Sequence, residues 1–294
     1  MIKGLAITPP TIGRISIGQV IERNGQRLPS KDDQFTITQQ VQTKDGWITH
    51  PLDKQLREEQ KQDKLRIIPV KVLFSEPELN LRSEYSMFDR SNGRLLCTGN
   101  GDTCKRVTSE GTQELPCPGP DVCDFGKGGL CKLYGRLNVL IGDEQDFGSF
   151  VFRTTGYNSV RSLLARMMYY QAASGGLLPY LPLQLRLRSK STTMSRRAPV
   201  FYVDMELRSG TSLNEAIEEA NRLHEEKQQA GFDQTALDAA AQRGYANGLS
   251  EDPEEEIPGV LEEFYPASQQ PSHQDVPTGQ NDIMGRLTQH NQQH

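Results

Sequence analysis

All five cysteines of this 294-residue chain fall within one stretch, as Cys97, Cys104, Cys117, Cys123 and Cys131. Thiols gathered in this way bind a metal, pair as disulfides, or simply pack as small buried residues. The spacing C-x6-C-x12-C-x5-C-x7-C has no C-x2-C knuckle and matches no standard zinc ribbon or finger. Pro116, Pro118 and Pro120 stiffen the turns, while Gly119, Gly126, Gly128 and Gly129 supply unusual backbone angles. Residues 98–132 hold few apolar side chains, so a structural zinc would fix the segment. Such binding contributes on the order of 10 kcal/mol when folding is coupled to it. The expected ligands are Cys104, Cys117, Cys123 and Cys131, with Cys97 as a substitute. An iron–sulfur cluster takes the same donors, but nothing in the spacing requires one.

Other chemistry is thinly represented. The histidines are His50, His224, His273, His290 and His294. None stands with a carboxylate at ligand spacing beside the cysteines, so the expected metal site is closed and structural. No HExxH and no nucleophile elbow is present. GNGDTC at 99–104 starts like a dinucleotide fingerprint but ends in Cys with no helix signal behind it. FGKGGL lacks the rest of a phosphate-binding loop. A thiol paired with His50 is the one nucleophilic arrangement left to weigh. The expectation is a protein that is not an enzyme.

The net charge of −5 conceals an asymmetry. Residues 1–150 carry 20 basic and 20 acidic side chains, residues 151–200 carry 8 and none, and residues 201–294 carry 5 and 18. The middle block is Arg153, Arg161, Arg166, Arg186, Arg188, Lys190, Arg196 and Arg197. Cations and hydroxyls in SKSTTMSRR suit phosphate or partner contact; the competing readings are plain solvation and pairing with the acidic C-terminal helix. Tyr169 and Tyr170 lie nearby, where stacking on bases competes with ordinary packing.

These residues need elements to position them. Alternating apolar residues predict strands near Ile15, Phe35, residues 65–74 and residues 133–141, then GSFVFRTTG, LPLQLRLR and PVFYVDMEL. The pair Asn24-Gly25 reads as a turn. Residues 53–64 read as a short solvated helix or connector. Residues 81–97 read as a hairpin that delivers Cys97 to the cysteine loop. Val160, Leu163, Leu164, Met167 and Met168 predict a packed helix over 158–173, capped by Asn158 or Ser159. Ser212 and Glu215 form a capping box before a second helix with an acidic outer face. A third helix is read through residues 235–246.

The expected class is α+β: a mainly antiparallel sheet, one packed helix and a metal-stapled cysteine loop. The expected organisation is a core over 1–208 containing the loop 97–132, a helical acidic extension over 209–248, and a disordered tail over 249–294. The start MIKGLAITPP does not read as a signal peptide, and no run reaches the roughly 18 apolar residues of a membrane span. A cytoplasmic protein without a membrane partner is expected, of unassigned oligomeric state.

Three stretches carry a family resemblance: GRISIG with RLPSKDDQFTIT, CPGPDVCDFGKGGLCKLYGRLNV, and FRTTGYNSVRSLLARM with LPLQLRLRSKSTT. Over residues 1–208 the chain resembles the recombination directionality factors that accompany large serine integrases in phages and integrative elements. The cysteine loop is its most specific part, carried by Cys117, Cys123 and Cys131. The resemblance implies a non-catalytic accessory protein that binds a serine integrase on DNA and redirects it towards excision. The acidic C-terminal extension departs from it. The alternatives are a single-strand or replication-linked DNA-binding protein and a metal-dependent hydrolase.

Overall fold

Period-two alternation turns nearly half of the first 207 residues into strands, and the 3.6-residue pattern takes over where the sheet needs cover. The computed structural model describes residues 10–23, 26–43, 46–142, 148–191, 193, 197, 199–246 and 257–265. In chain order the elements are β1 (Thr11–Arg23), β2 (Gln26–Thr43), β3 (Gly46–Thr49), α1 (Pro51–Gln60), β4 (Ile67–Lys71), α2 (Pro77–Asn80), β5 (Leu81–Phe88), β6 (Leu95–Gly99), β7 (Thr103–Thr108), β8 (Gly111–Pro116), β9 (Lys132–Ile141), β10 (Ser149–Thr154), α3 (Tyr157–Ala173), β11 (Leu183–Lys190), β12 (Val200–Leu207), α4 (Leu213–Gln229), α5 (Gln234–Ala246) and α6 (Ile257–Phe264).

The strands hydrogen-bond in the order β3-β2-β1-β10-β9-β5-β6-β7-β8, while β4 links β9 to β11 and β11 pairs with β12. Every pairing is antiparallel except β1 with β10. The α+β class and the largely antiparallel sheet therefore stand, with several helices rather than one. The predicted hairpin ends at Cys97, where β6 runs antiparallel to β5. The cysteine loop differs from its expectation. Its first half is a β-hairpin, β7–β8, which extends the sheet beyond β6.

Strand β9 organises the two faces. Leu137 and Val139 are fully buried in the main core with Phe35, Ile37, Leu163 and Met205. Tyr134, Arg136 and Asn138 alternate to the opposite face and are also buried. At Gly135 a Cβ would lie 2.8 Å from Val160 of α3, so the glycine lets helix and sheet approach.

Helix α3 buries Val160, Leu163, Met167 and Tyr170, as the periodicity requires, while Met168 is exposed. Its cap is not the predicted one. Gly156 stands at the N-cap without a side-chain bond. Ser159 is instead buried, and its Oγ accepts from Val203 N at 3.1 Å. That bond satisfies an edge amide of β12, the last strand of its ladder. Asn158 accepts from Lys190 Nζ at 2.6 Å. Helix α4 carries the predicted capping box and buries Ala216 and Ala220 in the main core. Helix α5 sets Ala241 against Phe74 and Leu79.

The tail needs a correction. Residues 257–264, placed by sequence in a disordered segment, form α6, with Val260 and Phe264 buried. Four apolar residues spaced as Ile257, Val260, Leu261 and Phe264 were hidden in an otherwise acidic stretch. Residues 266–294 lie outside the described residues.

Helix α1 is more firmly held than a connector. Asp53, buried, accepts from Ile37 N at 2.9 Å and from Arg57 Nε at 2.7 Å. Its N-cap is His50, whose Nδ1 accepts from Leu52 N at 3.2 Å and whose ring meets Phe150 edge-on at 5.1 Å. Burial holds this imidazole below the ordinary value of 6.5. The unfolded chain therefore takes up the proton first, and stability rises with pH across this range. As pH falls below 6.5, the His50 contribution is lost. We expect an NMR titration to place His50 below 6.5, with lower amide protection factors in α1 on acidification, relative to the intrinsic exchange rate at each pH. His50→Asn, which retains a capping acceptor, should abolish that pH dependence.

Candidate functional site

The β6–β7 pairing sets Cys97 opposite Arg106 and Gly99 opposite Cys104. Cys104 in turn faces Leu115 of β8. Past the hairpin the chain is pinned back: Cys117 N donates to Asp102 O at 2.8 Å, Cys123 N to Gly119 O at 3.1 Å, and Cys131 N to Gly126 O at 3.2 Å. Cys97, Cys104 and Cys117 are buried in one cluster with Met87, and Cys131 packs against it. Two glycines permit this convergence. A Cβ at Gly99 would come within 2.7 Å of Cys104 and 2.8 Å of the Cys117 sulfur, and one at Gly126 within 2.4 Å of Cys131.

All five are free thiols. Arg106 Nη2 lies 3.6 Å from Cys123 Sγ, and its guanidinium sits 4.3 Å from the Phe125 ring centre. Burial, with the nearby Cys97, Cys123 and Cys117, pushes the Cys131 thiol up to about 12. Burial and the neighbouring Cys97 push Cys104 up as well. This repulsion arises wherever several thiolates share one site, and a divalent cation relieves it. The donors are of the type that zinc takes. Among the described residues, however, no group of three or more His, Cys, Asp or Glu is arranged as a ready metal cage. Cys97 and Cys104 are neighbours in the cluster, with Cys117 beside them. Neither His50 nor His224 belongs to it: His50 caps α1, and His224 packs 5.0 Å from the Tyr180 ring.

The basic block does not form one surface. Arg186 and Arg188 share a face of β11, while Leu185 and Leu187 are buried on the other. Their charges meet carboxylates on β12. Arg188 bonds Asp204 at 2.9 Å and Glu206 at 2.7 Å, Arg186 bonds Glu206, and Arg166 reaches Asp204 from α3 at 3.3 Å. Asp204 and Glu206 fall just beyond residue 200, where the count of the basic block stopped. Exposed cations on this side are Arg161, Arg166, Arg188, Lys190 and Arg197. Arg196 lies outside the described residues. Arg153 is buried on β10 and belongs elsewhere.

Arg153 pairs across the sheet with Arg136, and Arg136 with Arg82. Three buried arginines thus stand side by side on β10, β9 and β5, on the face opposite α3. The sequence reading missed this row because its members are scattered through a stretch of balanced charge. A signal existed: β5, β9 and β10 each carry a single arginine within the strand. Glu84, two residues along β5 from Arg82, comes within 3.7 Å of Arg136.

Against protein-family models, residues 12–208 match the Gp3-like family, described as recombination directionality factor-like. The chain belongs to this recombination directionality factor-like family. The match takes in nearly all of β1 to β12, including the cysteine cluster, the α3 face and the arginine row. It ends before α4, so α4, α5 and α6 lie outside the matched residues. No curated protein and no solved structure gives a significant match. No helix among the described residues is long and apolar enough to cross a membrane.

Proposed function

We propose that this protein is a non-catalytic, cytoplasmic accessory factor that binds a serine integrase and redirects it from integration towards excision. The observation that carries this reading is the family match over residues 12–208, which spans the whole sheet rather than one motif. A factor that sets direction works on a partner's equilibrium. It must bind one synaptic arrangement more tightly than the other, because equal affinity shifts nothing. Full reversal of a strongly biased equilibrium takes a differential of roughly 5 kcal/mol.

Helix α3 offers the surface for that partner. Tyr157, Arg161 and Met168 share its outer face, flanked by Tyr169. Tyr157 is 66% exposed and Met168 and Tyr169 are each 56% exposed, unusual for such large side chains. Aromatic residues, Met and Arg are the types enriched at protein interfaces. Direct contact with DNA is the second reading. It rests on the exposed Arg161, Lys190 and Arg197, since Arg166, Arg186 and Arg188 already meet carboxylates.

Zinc held by cysteines of the cluster would act as a staple for residues 97–132, not as a reaction centre. Bound there, it would supply charge neutralisation and a fixed loop geometry. Elemental analysis should find one zinc per chain, and chelation should expose all five thiols to alkylation. A folded protein without stoichiometric zinc or iron would remove the staple.

For the partner surface, binding to immobilised cognate integrase is the measurement. Tyr157→Ala and Met168→Glu should each weaken binding by about 10-fold or more. Their thermal stability should stay within about 0.5 kcal/mol of the parent, as expected for exposed positions. Unchanged binding in both variants would place the interface away from α3.

A further inference from the structure

On β7, Cys104 and Arg106 are two residues apart, so their side chains leave the same face of the strand. Across the ladder that face continues with Cys97, directly opposite Arg106 on β6, and with Leu115 and Gln113 on β8. Gly99, opposite Cys104, adds no side chain, and the Cys117 sulfur lies 2.8 Å from where its Cβ would stand. The segment after the hairpin then closes over the face. Phe125 sets its ring centre 4.3 Å from the Arg106 guanidinium carbon, and Cys123 Sγ lies 3.6 Å from Arg106 Nη2.

Arg106 is thus a cation set among sulfurs. The ionisable groups that act on it are Cys97, Cys104 and Cys123, and it shares a side-chain hydrogen bond with Cys97. Among the described residues no carboxylate forms an ion pair with it, and its buried Nε has no hydrogen-bond acceptor. A guanidinium is always charged, and burying a charge without a partner is strongly destabilising. Neutral thiols are weak partners for it. Thiolates are strong ones, because a hydrogen bond to an ionised acceptor is roughly twice as strong as a neutral one. Several cysteine thiolates around one divalent ion leave an excess of negative charge, which is what this arginine lacks.

We propose that Arg106 is the built-in counter-ion of the cysteine centre, donating to the thiolates of Cys97 and Cys123 from outside the coordination sphere when zinc is bound. The proposal rests on the zinc staple described above. Arg106 is a positioning residue in it and takes no place among the ligands. Phe125 has a part as well: its ring holds the guanidinium beside the sulfurs through a cation–π contact. Outer groups that hydrogen-bond metal ligands typically change metal affinity by about 10- to 100-fold.

The probe is zinc itself, with affinity for the full chain read by competition with a chromophoric chelator. The parent should hold one zinc per chain. Arg106→Met, which removes the charge and the donors, should bind zinc about 10-fold or more weakly. Arg106→Lys keeps the charge without the planar fork and should recover part of that loss. Lys105→Met removes a charge from the other face of β7 and should match the parent. Cobalt(II) in place of zinc gives a second readout. Losing a hydrogen bond to a thiolate raises the energy of its sulfur electrons, so the thiolate-to-cobalt band should move to longer wavelength in Arg106→Met and, less far, in Arg106→Lys. Where Arg106→Met fails to fold, Arg106→Lys and its cobalt band carry the test. A parent that folds without stoichiometric metal removes the staple and this role together. A parent with one zinc, whose folded Arg106 variants bind as tightly and leave the cobalt band unmoved, keeps the staple and overturns the role of Arg106.

Discussion

Strand β9 is the constraint on which the rest depends. It is hydrogen-bonded to β5 and β10 along its length and to β4 at its end. Because side chains alternate, each residue of β9 is committed to one of two buried faces. Leu137 and Val139 close the main core beneath α3, and Tyr134 and Arg136 build the face beneath α6. A one-residue slip would put the arginine in the main core and expose the leucine to the polar face, so register is strongly fixed. Both buried faces of the sheet are thus set by one strand.

The cysteine cluster uses the same sheet differently. Strands β6, β7 and β8 extend it past the main core, where Cys97, Cys104 and Cys117 are buried with Met87 and pack against Tyr85, Leu115 and Phe125. Thiols there share the role that leucines have elsewhere. This accounts for the burial of three of the five cysteines. It also explains the glycines at 99 and 126, where any side chain would strike a cysteine.

Much of this was legible in the sequence, and the reasons for the failures are physical. Strands such as LYGRLNVLI show their alternation locally, and the α3 face shows its period within one helix. The hairpin within the cysteine loop was obscured because Thr, Lys, Arg and Gln fill β7 and β8, leaving little apolar alternation. Helix α6 was obscured by composition: acidic residues and proline dominate around it, and its anchors gain meaning only from a distant pocket. The arginine row could not be seen until strand order was known, since Arg82, Arg136 and Arg153 are brought together only by long-range pairing. Charge totals misled for the same reason. The block read as uniformly basic meets Asp204 and Glu206 across a hairpin, while its first member, Arg153, faces the other side of the sheet.

The central claim is that this family core acts on the direction of recombination through a partner, without chemistry of its own. The most direct measurement is an in vitro recombination assay with the cognate serine integrase. It uses one substrate carrying the two attachment sites of an integrated element and another carrying the two sites of the free element. The account predicts that excision products appear only when the protein is added, and that integration falls in parallel. An active integrase whose two reactions are both unchanged by the folded protein would contradict it.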